Sequence, residues 1–289
     1  MTKYSECEIL SGGARIVLSV WEISKPEAVI VFIPATMVHP LIYERLLCGF
    51  AERGFCVVGV HPVGHGKSPR DVKLYTLCDI AQNGRDAVSF ALDKFNLPVI
   101  ALGSSQGGIV AAALACADKR IAAVFAHNIL LSELPDSIGI TRFPKQLRHV
   151  YRLAQAAFKF FARLMPKLKL PLGFYLDRKR ISRDLKLWES LESDPLCLTH
   201  YCLHFLASLF TTRFQGLTDA SICCPVYVIA DSGDMLFTAD YTQKVFERLR
   251  APYKEMVTFN FNDHMLMYSH PQAVCDLLAV KMREALLIA

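Results

Sequence analysis

Residues 101–114 read ALGSSQGGIVAAAL, and two hydroxyls stand in the middle of the most apolar stretch of the chain. In Gly103-Ser104-Ser105-Gln106-Gly107, glycine lies two residues before and two residues after Ser105. That spacing suits a turn so sharp that one side chain is thrust clear of the backbone, because glycine has no Cβ to collide inside it. The run VIAL precedes the turn and the small-residue run GIVAAALA follows it, so the expected context is strand, turn, helix. Ser105 rather than Ser104 is the central residue and the candidate nucleophile.

A serine hydroxyl needs a base to become nucleophilic, and the base needs a carboxylate to orient it. Candidates for both lie downstream. The apolar run PVYVIA is followed by Asp231-Ser232-Gly233-Asp234, and the end of a strand is where such an acid belongs. Asp234, followed by apolar Met235-Leu236-Phe237, is the choice. Asp231 is its competitor, with a turn role as the alternative. Of the nine histidines, only His264 and His270 follow the last expected strand. His264, in the loop before the final helix, is the candidate base, and His270 beside Pro271 is a candidate cap of that helix. Acyl transfer also needs two backbone N–H groups aimed at the developing oxyanion. Gln106 directly follows the nucleophile, and Thr36 lies in the loop Pro34-Ala35-Thr36-Met37 after the run AVIVFI.

Elements that could position these groups alternate along the chain. Short apolar runs at Ala28–Ile33, Phe55–Val60, Val99–Leu102, Ile121–Ala126, Pro225–Ala230 and Glu255–Phe259 read as strands. Tyr43–Gly54, Tyr75–Phe95, Gly107–Ala117, Tyr241–Leu249 and Pro271–Leu287 read as helices. The alternation implies an α/β fold with a mostly parallel sheet covered on both faces. Residues 131–217 carry no strand signal and read as a helical cap inserted between core segments 1–130 and 218–289. At helical spacing within it, Lys145, Arg148, Arg152, Lys159 and Arg163 share one face. Leu147, Val150, Tyr151, Ala154, Phe158, Phe161 and Met165 share the other. The apolar face is expected to lie on the core or to line a greasy pocket.

Composition narrows the function classes. Hydrophobic residues make up 53% of the chain, and mean hydropathy is +0.29, so a membrane protein has to be considered. No residue from Asn96 to Ala117 is charged, but the stretch contains Pro98, Gly103, Ser104, Ser105, Gln106, Gly107 and Gly108. In lipid such a segment would leave backbone groups unsatisfied. The start, MTKYSECEIL, lacks a basic segment followed by an apolar run, so no signal peptide is expected. Ten scattered cysteines without a CxxC pair suggest free thiols in a reducing cytoplasm and no zinc site. Net charge is +5, but residues 137–186 hold thirteen Lys or Arg against two Asp. Without aromatics interleaved on the charged face, this asymmetry suits transient contact with an anionic lipid surface better than nucleic acid.

Taken together, these motifs resemble the α/β-hydrolases, and most of all their monoacylglycerol lipase and lysophospholipase-like (serine aminopeptidase-like) branch. HPVGHGKSP at 61–69 resembles the branch's D-x-R-G-H-G-x-S turn, GSSQGG its G-H-S-x-G-G elbow, and SDPL at 193–196 its D-P-L motif near the end of the cap. The resemblance runs from Ala28 to the last helix. It implies an eight-stranded, mostly parallel sheet with a helical cap and no metal or organic cofactor. Ser105, Asp234 and His264 would form the triad, with the Thr36 and Gln106 amides as the oxyanion hole. Pro34-Ala35 replaces the family's His-Gly, His61 its aspartate before the GHG turn, and Asp231 its glycine three before the acid. The expected reaction is hydrolysis of a carboxylic ester with a medium or long acyl chain. A thioesterase, an amidase, an acyltransferase and a ligand-binding protein on the same scaffold are the rivals.

Overall fold

A computed structural model describes residues 2–288. Ten strands run β1 Lys3–Ser11, β2 Ala14–Glu22, β3 Ala28–Ile33, β4 Phe55–His61, β5 Val99–Ser104, β6 Ile121–His127, β7 Lys169–Pro171, β8 His200–Cys202, β9 Val226–Asp231 and β10 Lys254–Phe259. The helices are α1 Glu44–Glu52, α2 Leu77–Phe95, α3 Gln106–Ala117, α4 Tyr151–Leu164, α5 Leu172–Tyr175, α6 Arg178–Ile181, α7 Leu185–Ser193, α8 Leu203–Thr211, α9 Ala239–Arg248, α10 Leu266–Ser269 and α11 Pro271–Ile288. Eight strands form one sheet in the order β1-β2-β4-β3-β5-β6-β9-β10. From β4 to β10 all neighbours are parallel, and β1 and β2 join antiparallel. This is the α/β-hydrolase architecture, with the chemistry expected at the carboxyl ends of the parallel strands.

The sheet is sealed on both faces. Val29, Val31 and Ile33 of β3 pack on one side with α2 and α3, and Ile30 and Phe32 pack on the other with α1 and α11. This alternation with a period of two explains why β3 reads as an unbroken apolar run: both of its faces are buried. Across the β6–β9 pair, Phe125 opposes Tyr227 with rings stacked at 4.5 Å, worth about 0.5–1.5 kcal/mol beyond the area buried. α2 begins at a reciprocal cap, Thr76 with Asp79, which satisfies two end donors at once.

Three differences from the sequence reading stand out. The hairpin β1–β2, turned at Gly12-Gly13, has no counterpart in it, because β1 alternates exposed with half-buried residues instead of forming an apolar run. Residues 131–217 are not purely helical: β7 and β8 make a three-residue antiparallel pair within them. Strands this short leave no periodic signal. The face assignment on α4 also needs correction. Tyr151, Ala154 and Phe158 turn inward, whereas Val150, Phe161 and Met165 are 48%, 50% and 47% exposed. Phe158 and Ala162 pack with Leu203 and Ala207 of α8, and the apolar side chains on the other side of α4 face outward. Among the described residues, no helix is long and apolar enough to cross a membrane.

Candidate active site

β5 ends at Ser104 and α3 begins at Gln106, so Ser105 alone makes the turn, at φ 51° and ψ −112°. The close approach of strand and helix explains the glycines. A Cβ on Gly103 would lie 1.9 Å from the Gly107 carbonyl oxygen, and one on Gly107 would lie 2.1 Å from that of Ile33. Held this way, a non-glycine residue stores strain on the order of 1–3 kcal/mol, which the packed strand and helix must offset. The Ser105 hydroxyl makes no hydrogen bond to a described residue, and contacts of this kind often tighten only when substrate binds.

Two strands away, β9 delivers Asp231 and Asp234, and β10 delivers the loop of His264. Asp234 Oδ2 lies 2.8 Å from His264 Nδ1. Its Oδ1 accepts the Leu236 and Phe237 N–H groups at 2.7 and 2.9 Å. Burial alone would raise this carboxyl, but the His264 charge and hydrogen bond and the Phe237 N–H outweigh it, leaving the group lowered to about 2. Asp234 is therefore an anion at neutral pH. Facing it, His264 must carry hydrogen on Nδ1, which leaves the Nε2 lone pair free to take a proton. Asp231 does other work: its carboxylate accepts the Gly233, Phe261 and Asn262 N–H groups at 2.7–2.9 Å and so pins the His264 loop to the Asp234 loop. His270 is stacked on Phe261 at 4.0 Å.

One neighbour of this group has no counterpart in the sequence reading. Asn128, fully buried just past β6, donates to Asp234 Oδ2 at 2.9 Å and to His127 Nε2 at 2.8 Å. His127 is neutral, since burial and the nearby His264 lower it to about 3, and its Nδ1 faces Ser104 Oγ at 3.4 Å. The available signal was positional: His127-Asn128 is a polar pair at the carboxyl end of an apolar parallel strand.

Gln106 N–H opens α3, where the first amides have no partner within the helix. Thr36 N–H has no acceptor among the described residues. The next residue, Met37, adopts φ 64° although it is not glycine. Of metal-ligand type, only His39, Asp194 and Cys197 cluster among the described residues. His39 Nε2 and Asp194 already share a hydrogen bond at 2.9 Å, and burial pushes the Cys197 thiol up to about 12. The cluster ties the loop after β3 to the SDPL segment.

The family model described as serine aminopeptidase, S33, matches residues 24–270. The chain belongs to this family. Within the solved structures, this S33 member superposes on the monoacylglycerol lipase of Paleococcus ferrophilus with a TM-score of 0.70 and 20% identity, over 96% of this chain and 99% of that one. A soluble variant of monoglyceride lipase from Saccharomyces cerevisiae gives 0.77 and 16%, over 96% and 94%. A carboxyl esterase from Bacillus coagulans gives 0.67 and 17%, over 96% and 98%. No curated protein sequence matches this S33 member. At these identities the likeness speaks for the fold, and the chemistry has to be argued from the side chains.

Proposed function

We propose that the protein is a serine hydrolase of carboxylic esters. The observation that carries this reading is the buried Asp234–His264 pair, standing at the same sheet edge as the strained turn of Ser105. In the proposed reaction His264 Nε2 takes the Ser105 proton as Oγ bonds to the acyl carbon. The Thr36 and Gln106 amides stabilise the oxyanion. The tetrahedral intermediate expels the alcohol, which receives that proton, and water then releases the acid by the same route. Asp234 holds the imidazole in its tautomer and stabilises the imidazolium.

The cap supports an acyl chain of medium or greater length. Thr36 lines a cavity of about 130 Å³ with Leu172, Trp188 and Leu191. Across residues 170–175 lies an almost wholly apolar cavity of about 340 Å³, walled by Tyr151, Phe158, Phe174, Leu206 and Phe210. In this proposal the carbonyl sits by Thr36 and the chain extends along the cap toward the larger cavity. The outward arc of α4 adds a surface for transient contact with anionic lipid.

Hydrolysis of nitrophenyl esters from acetate to palmitate, with Ser105→Ala alongside, tests the reading. Turnover should peak at medium or long chains and fall on the order of 10⁴–10⁶-fold in the variant. Turnover on aminoacyl anilides alone would make the protein an amidase. Ester turnover that survives loss of Ser105 would remove Ser105 from the chemistry.

A further inference from the structure

The Tyr201 phenol, buried in β8, meets three groups of the core. Its oxygen lies 2.9 Å from Met37 N, 2.7 Å from His65 Nε2 and 3.3 Å from Gln106 Oε1. The protons can be assigned. His65 Nδ1 lies 2.8 Å from the Val63 carbonyl, which only accepts, so Nδ1 carries the hydrogen. Burial lowers His65 to about 4, so the ring is neutral and Nε2 accepts. The single phenol proton therefore goes to His65, and the oxygen lone pairs face the Met37 N–H and the Gln106 carboxamide, which can present its NH2 to them.

A second contact completes the arrangement. The Leu198 N–H donates to the Met37 carbonyl at 2.8 Å. Both backbone groups of Met37 are thus bonded to residues 198–201 of the cap, at the position where φ is 64° in a non-glycine residue. Such a conformation persists where its surroundings over-determine it. Fixing the peptide plane between Thr36 and Met37 restricts how Thr36 N–H can turn. The same phenol also touches the side chain of Gln106, whose amide is the other proposed donor.

We propose that Tyr201 is a positioning residue: its hydroxyl holds the Thr36–Met37 loop and Gln106 in one register, so that the oxyanion hole is completed by the cap. This rests on the ester-hydrolase reading. Packing alone would need only the ring, which already lies against Phe205 at 4.4 Å and His65 at 5.4 Å.

The test compares wild type, Ser105→Ala and Tyr201→Phe on a nitrophenyl ester, below the melting temperature of each. Tyr201→Phe should lower kcat about 10- to 100-fold with KM nearly unchanged, somewhat less than deletion of an oxyanion donor itself. It should also weaken inhibition by an alkyl trifluoromethyl ketone, which forms a hemiketal oxyanion on serine, by the same factor as kcat/KM. A lower melting temperature with unchanged kcat and ketone affinity would overturn the proposal. If Tyr201→Phe does not fold, 3,5-difluorotyrosine at position 201 decides: it keeps the shape but weakens the oxygen as an acceptor, and unchanged kcat there overturns the proposal equally. Turnover retained in Ser105→Ala would instead sink the ester-hydrolase reading beneath it.

Discussion

Asp234 illustrates how much one carboxylate can depend on its surroundings. It receives two backbone amides, the Asn128 amide and His264, with almost no exposure. Its carboxyl is lowered from an ordinary 3.8 to about 2. A depressed folded-state value stabilises the fold above the unfolded one, so this contribution is complete above about pH 4 and is lost as pH falls toward 2. At about 1.36 kcal/mol per pKa unit it amounts to about 2 kcal/mol. Urea unfolding of Asp234→Asn between pH 2 and 5 should therefore show a shallower loss of stability than wild type. An identical slope would mean that His264 does not hold the carboxylate. In the same variant the Leu236 and Phe237 N–H groups keep the amide oxygen at the Oδ1 position, so the new NH2 takes the Oδ2 position and faces His264 Nδ1. It forces the wrong imidazole tautomer, and kcat should drop about 10⁴-fold. Ser105, Asp234 and His264 stand out in the sequence as the proposed triad because side-chain type and order along the chain are informative. Thr36 and Gln106 are proposed to act through backbone amides, which any residue supplies. Asn128 and Tyr201 meet their partners 106 and 164 residues away, and no local pattern announces that.

At the scale of elements, the α3 start is wedged against the neighbouring strand. Gly107→Ala would press its methyl into the Ile33 carbonyl oxygen, and that backbone leads directly into the Thr36 loop. Thermal or urea denaturation should show a loss of about 3 kcal/mol, near the upper end of overpacking costs, together with loss of turnover. Full stability in this variant would show that the helix can slide away from β3. The core strands were legible because burial on both faces makes them plain apolar runs. The β1–β2 hairpin and the β7–β8 pair were not, since one is half-exposed and the other only three residues per strand. On α4 the sequence offers one apolar face, and only the packing of α8 decides which part of it is covered.

For the whole molecule, charge and exposed apolar surface coincide on the cap. Leu153 and Leu164 are 69% and 61% exposed, and Phe160 and Phe161 are exposed beside them, among Arg152, Lys159, Arg163 and Lys167. Such a surface should bring the protein onto vesicles containing phosphatidylserine, less so as salt rises. Sedimentation with such vesicles should be lost on combining Phe160→Ser with Leu164→Ser, while hydrolysis of a soluble short-chain ester stays unchanged. Wild type that remains in the supernatant at low salt would remove the membrane from the picture.

The bonds from Tyr201 and Leu198 to Met37 also bear on protein engineering. Caps in such folds look like interchangeable modules, since the sheet continues beneath them from β6 to β9. Here the junction is not neutral ground, because a foreign cap would arrive without the phenol and the amide that hold residue 37. A chimera should accept a new substrate-binding roof only if residues 34–37 and 198–201 are transferred as one matched pair. The unit of exchange is thus two distant stretches of chain that must travel together.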